Sequence, residues 1–377
     1  MRYIRLTILF LFPVLFLANC SDPCDAPKAE IKLDLDYYAA IRNLAAKDCD
    51  PEVFAPIHPS VGLSLDIQED LVFELTKYYE EEGNADALFA CFPDHAPGDF
   101  QGLNDYLFEE VRFFFDVSYN ILRSRFESFE ESCVEPSMLP GRGGYSFQFL
   151  DTLQPVADQL VEIPGKFDIL ETMRYKDCGE ALAMADSVLV GMSDSGAAVS
   201  FTGLFNREVM PNPNSPVIGE STVGDSAQIN QVLSHPEMKG YLDQSGIEML
   251  WTKADARIGG DKADAGLQLI AVKQRRSGDP IGTRILEAFV GGDDLKPAVR
   301  VGLNAAGAKE LRELSERNQG RSLAMVLDGV IWQMAKVGQP LIDGRFELTG
   351  GLSKQQSQIL AAVLLSGALE VPLLRLE

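Results

Sequence analysis

The chain has 377 residues, 46% of them hydrophobic, enough to bury one large core or two moderate ones. Against 33 lysines and arginines stand 56 aspartates and glutamates, a formal net charge of −23. Such a surface repels phosphate backbones, and no basic patch with interleaved aromatics relieves it, so nucleic acid is excluded as an expected partner.

The first segment is a targeting sequence. Arg2 and Arg5 precede an apolar run from Leu6 to Ala18, about 13 residues, too short to span a bilayer. Leu17-Ala18-Asn19-Cys20 follows and resembles a bacterial lipobox, in which the cysteine becomes the acylated first residue. Asn19 departs from the small residue usual before that cysteine, and an uncleaved N-terminal anchor is the alternative. Residues 1–19 are therefore expected to be a lipoprotein signal peptide, with Cys20 lipidated and 20–28 a polar, proline-punctuated tether. No later stretch reaches the ~18 consecutive apolar residues of a membrane-spanning helix. The body is expected in the cell envelope, facing the periplasm and held to a bacterial membrane by one end.

In chain order, Ile31, Leu33 and Leu35 alternate as a strand over 30–36, and 37–46 reads as a helix. Helices follow over 68–82 and over 103–129, the latter with Leu107, Val111, Phe114, Ile121 and Leu122 on one face. Its Phe113-Phe114-Phe115 run reads as core and flank. Residues 136–144 read as loop, and Tyr145, Phe147 and Phe149 as a strand. A short helix is expected over 155–161 and a strand from Phe167 through Ile169. The stretch 201–216 is loop-like; a helix over 226–233 and strands over 247–252 and 267–273 come next.

The last eighty residues carry the sharpest local signals. Val299, Val301 and Leu303 alternate as a strand, Asn304 can cap a helix bearing Leu311 and Leu314, and Gly320 supplies a left-handed stop. Asp328-Gly329 between Leu323–Leu327 and Val330–Trp332 is a hairpin signal. Ser353 with Gln356 forms a capping-box pattern ahead of Ile359, Leu360, Val363 and Leu364, in a helix ending at Gly367. The fold class is α+β.

Chemistry is scarce. Of three histidines, His58, His95 and His235, none sits in a triad pattern. Gly191-Met192-Ser193-Asp194-Ser195-Gly196 misses the nucleophile-elbow spacing, and Gly259-Gly260 and Gly291-Gly292-Asp293-Asp294 are turn chemistry rather than phosphate loops. Cys91 and His95 could meet on a helix, but Pro93 intervenes. No catalytic role, cofactor or metal is expected. Of six cysteines, Cys20, Cys24, Cys49, Cys91, Cys133 and Cys178, lipidation of the first leaves an odd number. Disulfides such as Cys49–Cys91 and Cys133–Cys178 and buried free thiols are alternatives that spacing does not separate.

The run from P-A-V-R-V-G-L-N at Pro297 to Asn304, through L-T-G-G-L-S at Leu348 to Ser353, to G-A-L-E-V-P at Gly367 to Pro372 resembles the first periplasmic domain of SecD and SecDF, accessory subunits of the Sec protein translocase. Weaker counterparts are Ser215 to Gly219, Gly246 to Trp251, Ile121 to Phe126, Phe167 to Thr172 and Leu33 to Leu44. The resemblance implies a ferredoxin-like base with an inserted α+β head: base over 29–175 and 346–377, head over 176–345. Glu370 stands where that family places a proline, and Phe129 to Cys133 interrupts a family turn. The family couples proton flow to head movement through a membrane bundle not found in this sequence. The implied role is therefore passive: binding unfolded or translocating polypeptides, with Sec translocase subunits as expected partners. Val330, Ile331 and Trp332 are the candidate polypeptide-binding residues. A structural or interaction lipoprotein reusing the fold is the alternative.

Overall fold

The computed structural model describes residues 24, 28–58, 70–129, 133–139, 144–192, 200–205, 212–222, 225–253, 266–293 and 296–376. Cys20 and the signal segment lie outside the described residues, as do Ser193–Gly196, Gly259-Gly260 and Asp294. The chain opens with β1 (Lys28–Leu35), then α1 (Tyr37–Leu44), α2 (Asp70–Glu81), α3 (Ala85–Cys91) and α4 (Phe100–Glu127). Next come β2 (Glu135–Met138), β3 (Gly144–Leu150), α5 (Gln154–Glu162), β4 (Phe167–Glu171) and α6 (Gly179–Met192). They are followed by β5 (Val217–Ser221), α7 (Ser226–Ser234), α8 (Pro236–Ser245), β6 (Ile247–Trp251), β7 (Leu267–Lys273) and β8 (Ile285–Asp293). The chain closes with β9 (Lys296–Leu303), α9 (Ala305–Arg317), β10 (Ser322–Leu327), β11 (Val330–Lys336), β12 (Arg345–Leu348), α10 (Lys354–Ser366) and β13 (Leu373–Arg375).

Four strands form the base sheet in the order β13-β1-β3-β2, with every neighbouring pair antiparallel. Fourth-first-third-second with two helical crossovers is the ferredoxin-like arrangement. The first crossover carries α1–α4. The second starts with α5, returns through α10, and holds the head between them. Period-two alternation turns Ile31, Leu33, Tyr145, Phe147 and Phe149 toward these helices. The second half of α4 docks there, Phe126 stacking 4.8 Å from Phe147 and 5.8 Å from Phe149 between ring centroids. Its first half packs instead with α1–α3 around Leu75, Leu88, Leu103 and Leu107.

The head is layered. Helices α6, α7 and α8 cover one face of the sheet β5-β7-β6. Its other face meets the sheet β11-β10-β4 through Leu170, Leu250, Ile270, Val326 and Ile331. The far face of that second sheet, with Ile169, Leu323 and Met325, packs with α9 and the sheet β12-β9-β8. Helix α10 then joins head to base. Its six residues from Ile359 to Leu364 are all buried: Leu360, Ala361 and Leu364 enter the head core, and Ile359, Ala362 and Val363 the base core. An apolar surface on every side of a helix requires cover on every side. The Ser353–Gln356 capping box starts it as the sequence signalled.

Arg125 binds the layers together. It is fully buried and its guanidinium donates to the carbonyls of Leu160 (2.8 Å), Ile163 (2.5 Å), Pro164 (2.8 Å) and Gly367 (3.0 Å) and to the Ser366 hydroxyl (3.1 Å). These acceptors are the C-terminal ends of α5 and α10, where helix carbonyls lack intrahelical donors. Burial brings the Arg125 pKa down to about 10, opposed by the charge of Asp328, so the side chain stays cationic at neutral pH.

Several expectations change. Residues 135–138 form β2 rather than loop; it is an edge strand with mostly exposed side chains, held by backbone pairing to β3, so no apolar alternation marks it. Helix α6 has apolar residues nearly all round and offers no stripe to read. Strand β4 pairs with β10 and β12 with β9, so boundaries at 175/176 and 345/346 cut across head pairings. Cys49 is bonded to Cys91 (Cα–Cα 4.8 Å), but Cys133 is bonded to Cys24 (5.3 Å), not to Cys178. Cys178 is a buried free thiol in the helical layer of the head, whereas Cys133 precedes the outermost strand of the base. Burial pushes the Cys178 thiol up to about 11.

Arg125→Lys replaces a five-donor fork with three donors and leaves at least two buried acceptors unpaired. The urea midpoint is expected to fall by the equivalent of about 2–3 kcal/mol. An unchanged midpoint would show that the helix ends find other donors.

Candidate functional site

Where α10 stops, the chain reverses. Gly367 takes a positive φ of 92°, and the Leu369 N–H then donates to the Pro164 carbonyl at 2.8 Å, laying 369–373 against the end of α5. From the head side, the β10–β11 hairpin presents its turn, Asp328 (φ 52°) and Gly329 (φ 76°), both left-handed as a two-residue hairpin needs. The Asp328 carboxylate accepts from the N–H groups of Gly165 (2.9 Å) and Lys166 (2.8 Å), while its own N–H donates to the Lys166 carbonyl (2.9 Å). Gly165 has a φ of 91°, and a Cβ there would stand 2.8 Å from Arg125 Nη2 and 2.9 Å from Val363 Cγ1. Only glycine fits between the buried guanidinium and α10.

These contacts enclose a groove of about 510 Å³ at the base–head junction. Val161, Leu369 and Val371 give it a buried apolar floor, and β13, an outer strand of the base sheet, runs along it with Leu373 half-buried. Charges of both signs rim it. Lys166 Nζ lies 4.0 Å from the Glu370 carboxylate, and Arg375 pairs with Asp158 (2.9 Å) and Glu162 (3.2 Å). An apolar floor beside a sheet edge suits an extended peptide: edge amides and carbonyls can pair with backbone while alternate side chains enter the groove. A second cavity, about 570 Å³, lies within the head between Leu311, Met325 and Phe346 and is rimmed by Gln333, Lys336 and Glu347.

The sequence-derived candidates do not form one accessible surface. Ile331 is fully buried between two head sheets, while Val330 is 37% exposed on the other face of β11. Strand alternation sends neighbours to opposite faces, so three consecutive residues cannot share a patch. Trp332 is half-buried at the edge of the head core with Lys253 Nζ 4.2 Å above its ring. The outer edge of β11 is also partly taken. Lys253 N–H donates to the Ile331 carbonyl at 2.8 Å, and the Gln333 side chain accepts from Thr349 N–H at 2.6 Å. Cys91 is in a disulfide and so has no thiolate to offer His95, whose ring lies 4.7 Å from that of Tyr106. Leu369, Val371 and Leu373 were missed as site residues, although their period-two spacing was a readable strand signal.

Comparison with known proteins places this groove in context. Residues 268–371 match the family described as SecDF, P1 head subdomain. The chain carries a SecD-like domain. The matched stretch runs from β7 to Val371 and so includes the Asp328 turn, α10 and much of the groove floor. The protein translocase subunit SecD of Rhodothermus marinus is 32% identical over 203 residues, covering 50% of this chain and 32% of that protein. SecD of Acidaminococcus fermentans is 36% identical over 78 residues, 21% of this chain and 19% of that one. The chain thus spans about a third or less of the length of these relatives. A solved structure described as a membrane component SecDF that enhances protein export aligns over 70% of this chain and 91% of its own, at 17% identity and a TM-score of 0.38. Among the described residues no helix is long and apolar enough to cross a membrane.

Asp328→Ala removes both amide contacts and the residue type that tolerates a positive φ. Hydrogen exchange at the Gly165 and Lys166 amides should accelerate about tenfold or more, equivalent to ~1.4 kcal/mol of lost protection. Asp328→Asn, which keeps the turn and one acceptor oxygen, should fall between.

Proposed function

We propose that this chain is a lipid-anchored SecD-like module of the bacterial envelope that holds extended segments of exported or translocating polypeptides beside the Sec translocase. In this reading it faces the periplasm, is anchored through Cys20, and has neither catalysis nor proton coupling of its own. The observation that carries it is the junction groove: its floor and the turn that closes it lie largely within the SecD-like residues 268–371, and it runs beside the outer strand β13. The anchor rests on Arg2, Arg5, the apolar run and Leu17-Ala18-Asn19-Cys20.

One feature favours a second reading, an envelope lipoprotein that reuses the fold for another task. Helices α1–α3 with the first half of α4 gather around a buried core that reaches the groove floor at Val371 and carry the Cys49–Cys91 disulfide, and these helices lie outside residues 268–371.

Photocrosslinkers at Glu370 or Pro372, exposed on the groove, and at Phe73, exposed on α2, separate the two in cells. Groove adducts with many exported precursors are expected, and Leu373→Glu should cut them about tenfold by placing a charge against the apolar floor. Adducts confined to Phe73 and to a single envelope protein would instead establish the second reading. Cys20→Ser should abolish incorporation of labelled fatty acid; incorporation that persisted would refute the anchor.

A further inference from the structure

Cys24 is joined to Cys133 across 109 residues of sequence. Cys133 lies two residues before the start of the outer strand β2, whose first residue, Glu135, is ion-paired with Lys28 at the start of β1. Lys28 in turn pairs with Leu150 at the end of β3. The disulfide therefore sits where three base strands begin or end. The junction groove lies at the opposite end of the same sheet: the Asp36 N–H, just past the end of β1, donates to the Pro372 carbonyl, and α5 runs from Gln154 back to the groove at Glu162. The eight residues of β1 separate the two ends by about 23 Å.

We propose that the Cys24–Cys133 disulfide is a strap that keeps the β2 end of the base close to the lipid surface and the junction groove facing away from it. The inference rests on the reading that Cys20 is acylated. Four residues of chain, from Cys20 to Cys24, span at most about 14 Å. Without the bond, the first position held by the fold would be Lys28, and eight residues reach about 29 Å. The difference matters because of charge. The whole chain has a net charge of −23, and loss of Arg2 and Arg5 with the signal peptide leaves the body more acidic still; an anionic membrane repels it, so a long tether would let it stand off and tumble. A short covalent link opposes that repulsion and leaves one end of the base nearest the bilayer.

The test uses the full acylated chain in vesicles of phosphatidylethanolamine and phosphatidylglycerol that carry a nickel-chelating lipid as surface relaxant. A spin label is introduced through a genetically encoded keto residue at Gln148, exposed near the strapped end, or at Glu370, exposed on the groove. Strong nickel relaxation at Gln148 with little at Glu370 is expected, and the contrast should be lost in Cys24→Ser/Cys133→Ser. A Gly-Ser insertion between Pro23 and Cys24 keeps the disulfide while lengthening the strap, so it should produce the same loss even if the double variant folds poorly. Equal relaxation at the two sites in the unaltered chain, or a contrast that survives both changes, overturns the strap. Intact mass without the acyl group overturns the anchor reading itself, which distinguishes the two failures.

Discussion

A single buried cation organises the junction of this molecule. Arg125 projects from α4 and satisfies the carbonyl ends of α5 and α10, two helices that reach the same point from opposite sides of the head insertion. Removing a guanidinium from water is costly, and the cost is offset only because its donors find five acceptors in fixed positions. The acceptors in turn set where α5 must stop and where α10 must hand over to 369–373. Gly165 and Gly367, both at positive φ, let the backbone close around the charge.

From that point the architecture follows by layers. Because α10 is buried on all sides from Ile359 to Leu364, base and head are not two bodies on a linker; they share a helix whose opposite faces belong to different cores. Asp328 extends the same logic from the head side. Its turn can reach the base only where Gly165 and Lys166 offer their amides, and it stands close enough to Arg125 to favour that residue's charge. The groove is what these constraints leave open: an apolar trough walled by the end of α5, the segment that follows α10, a hairpin turn and an edge strand. A ligand held there would touch base and head at once.

The two disulfides among the described residues lie in the base, and neither lines the groove. Cys49–Cys91 ties the helical cluster of the first crossover, and Cys24–Cys133 closes the start of β1 onto the β2 edge. Among its described residues the head has no disulfide; it is held by packing and by ion pairs such as Arg275 with Asp168 and Glu310, and Cys178 is buried there as a free thiol. This division gives a base tied by covalent links and a head organised around three sheets.

Residue order was enough to specify the local pieces, those that depend on neighbours in the chain. The Asp328-Gly329 turn, the Ser353–Gln356 capping box, the Asn304 cap and the aromatic alternation of β3 each rest on interactions within a few residues, and each was legible. So was the α+β class, together with the SecD-like character of the last third. The partner of Cys133, the pairing of β2, the burial of Ile331 and the place of the groove emerged only from the assembled fold. These depend on segments far apart in the chain meeting in space. Arg125 lay in the family-like stretch Ile121 to Phe126, but its burial carried no sign in the sequence, for an arginine on a helix looks solvated until the carbonyls of two distant helix ends are brought around it.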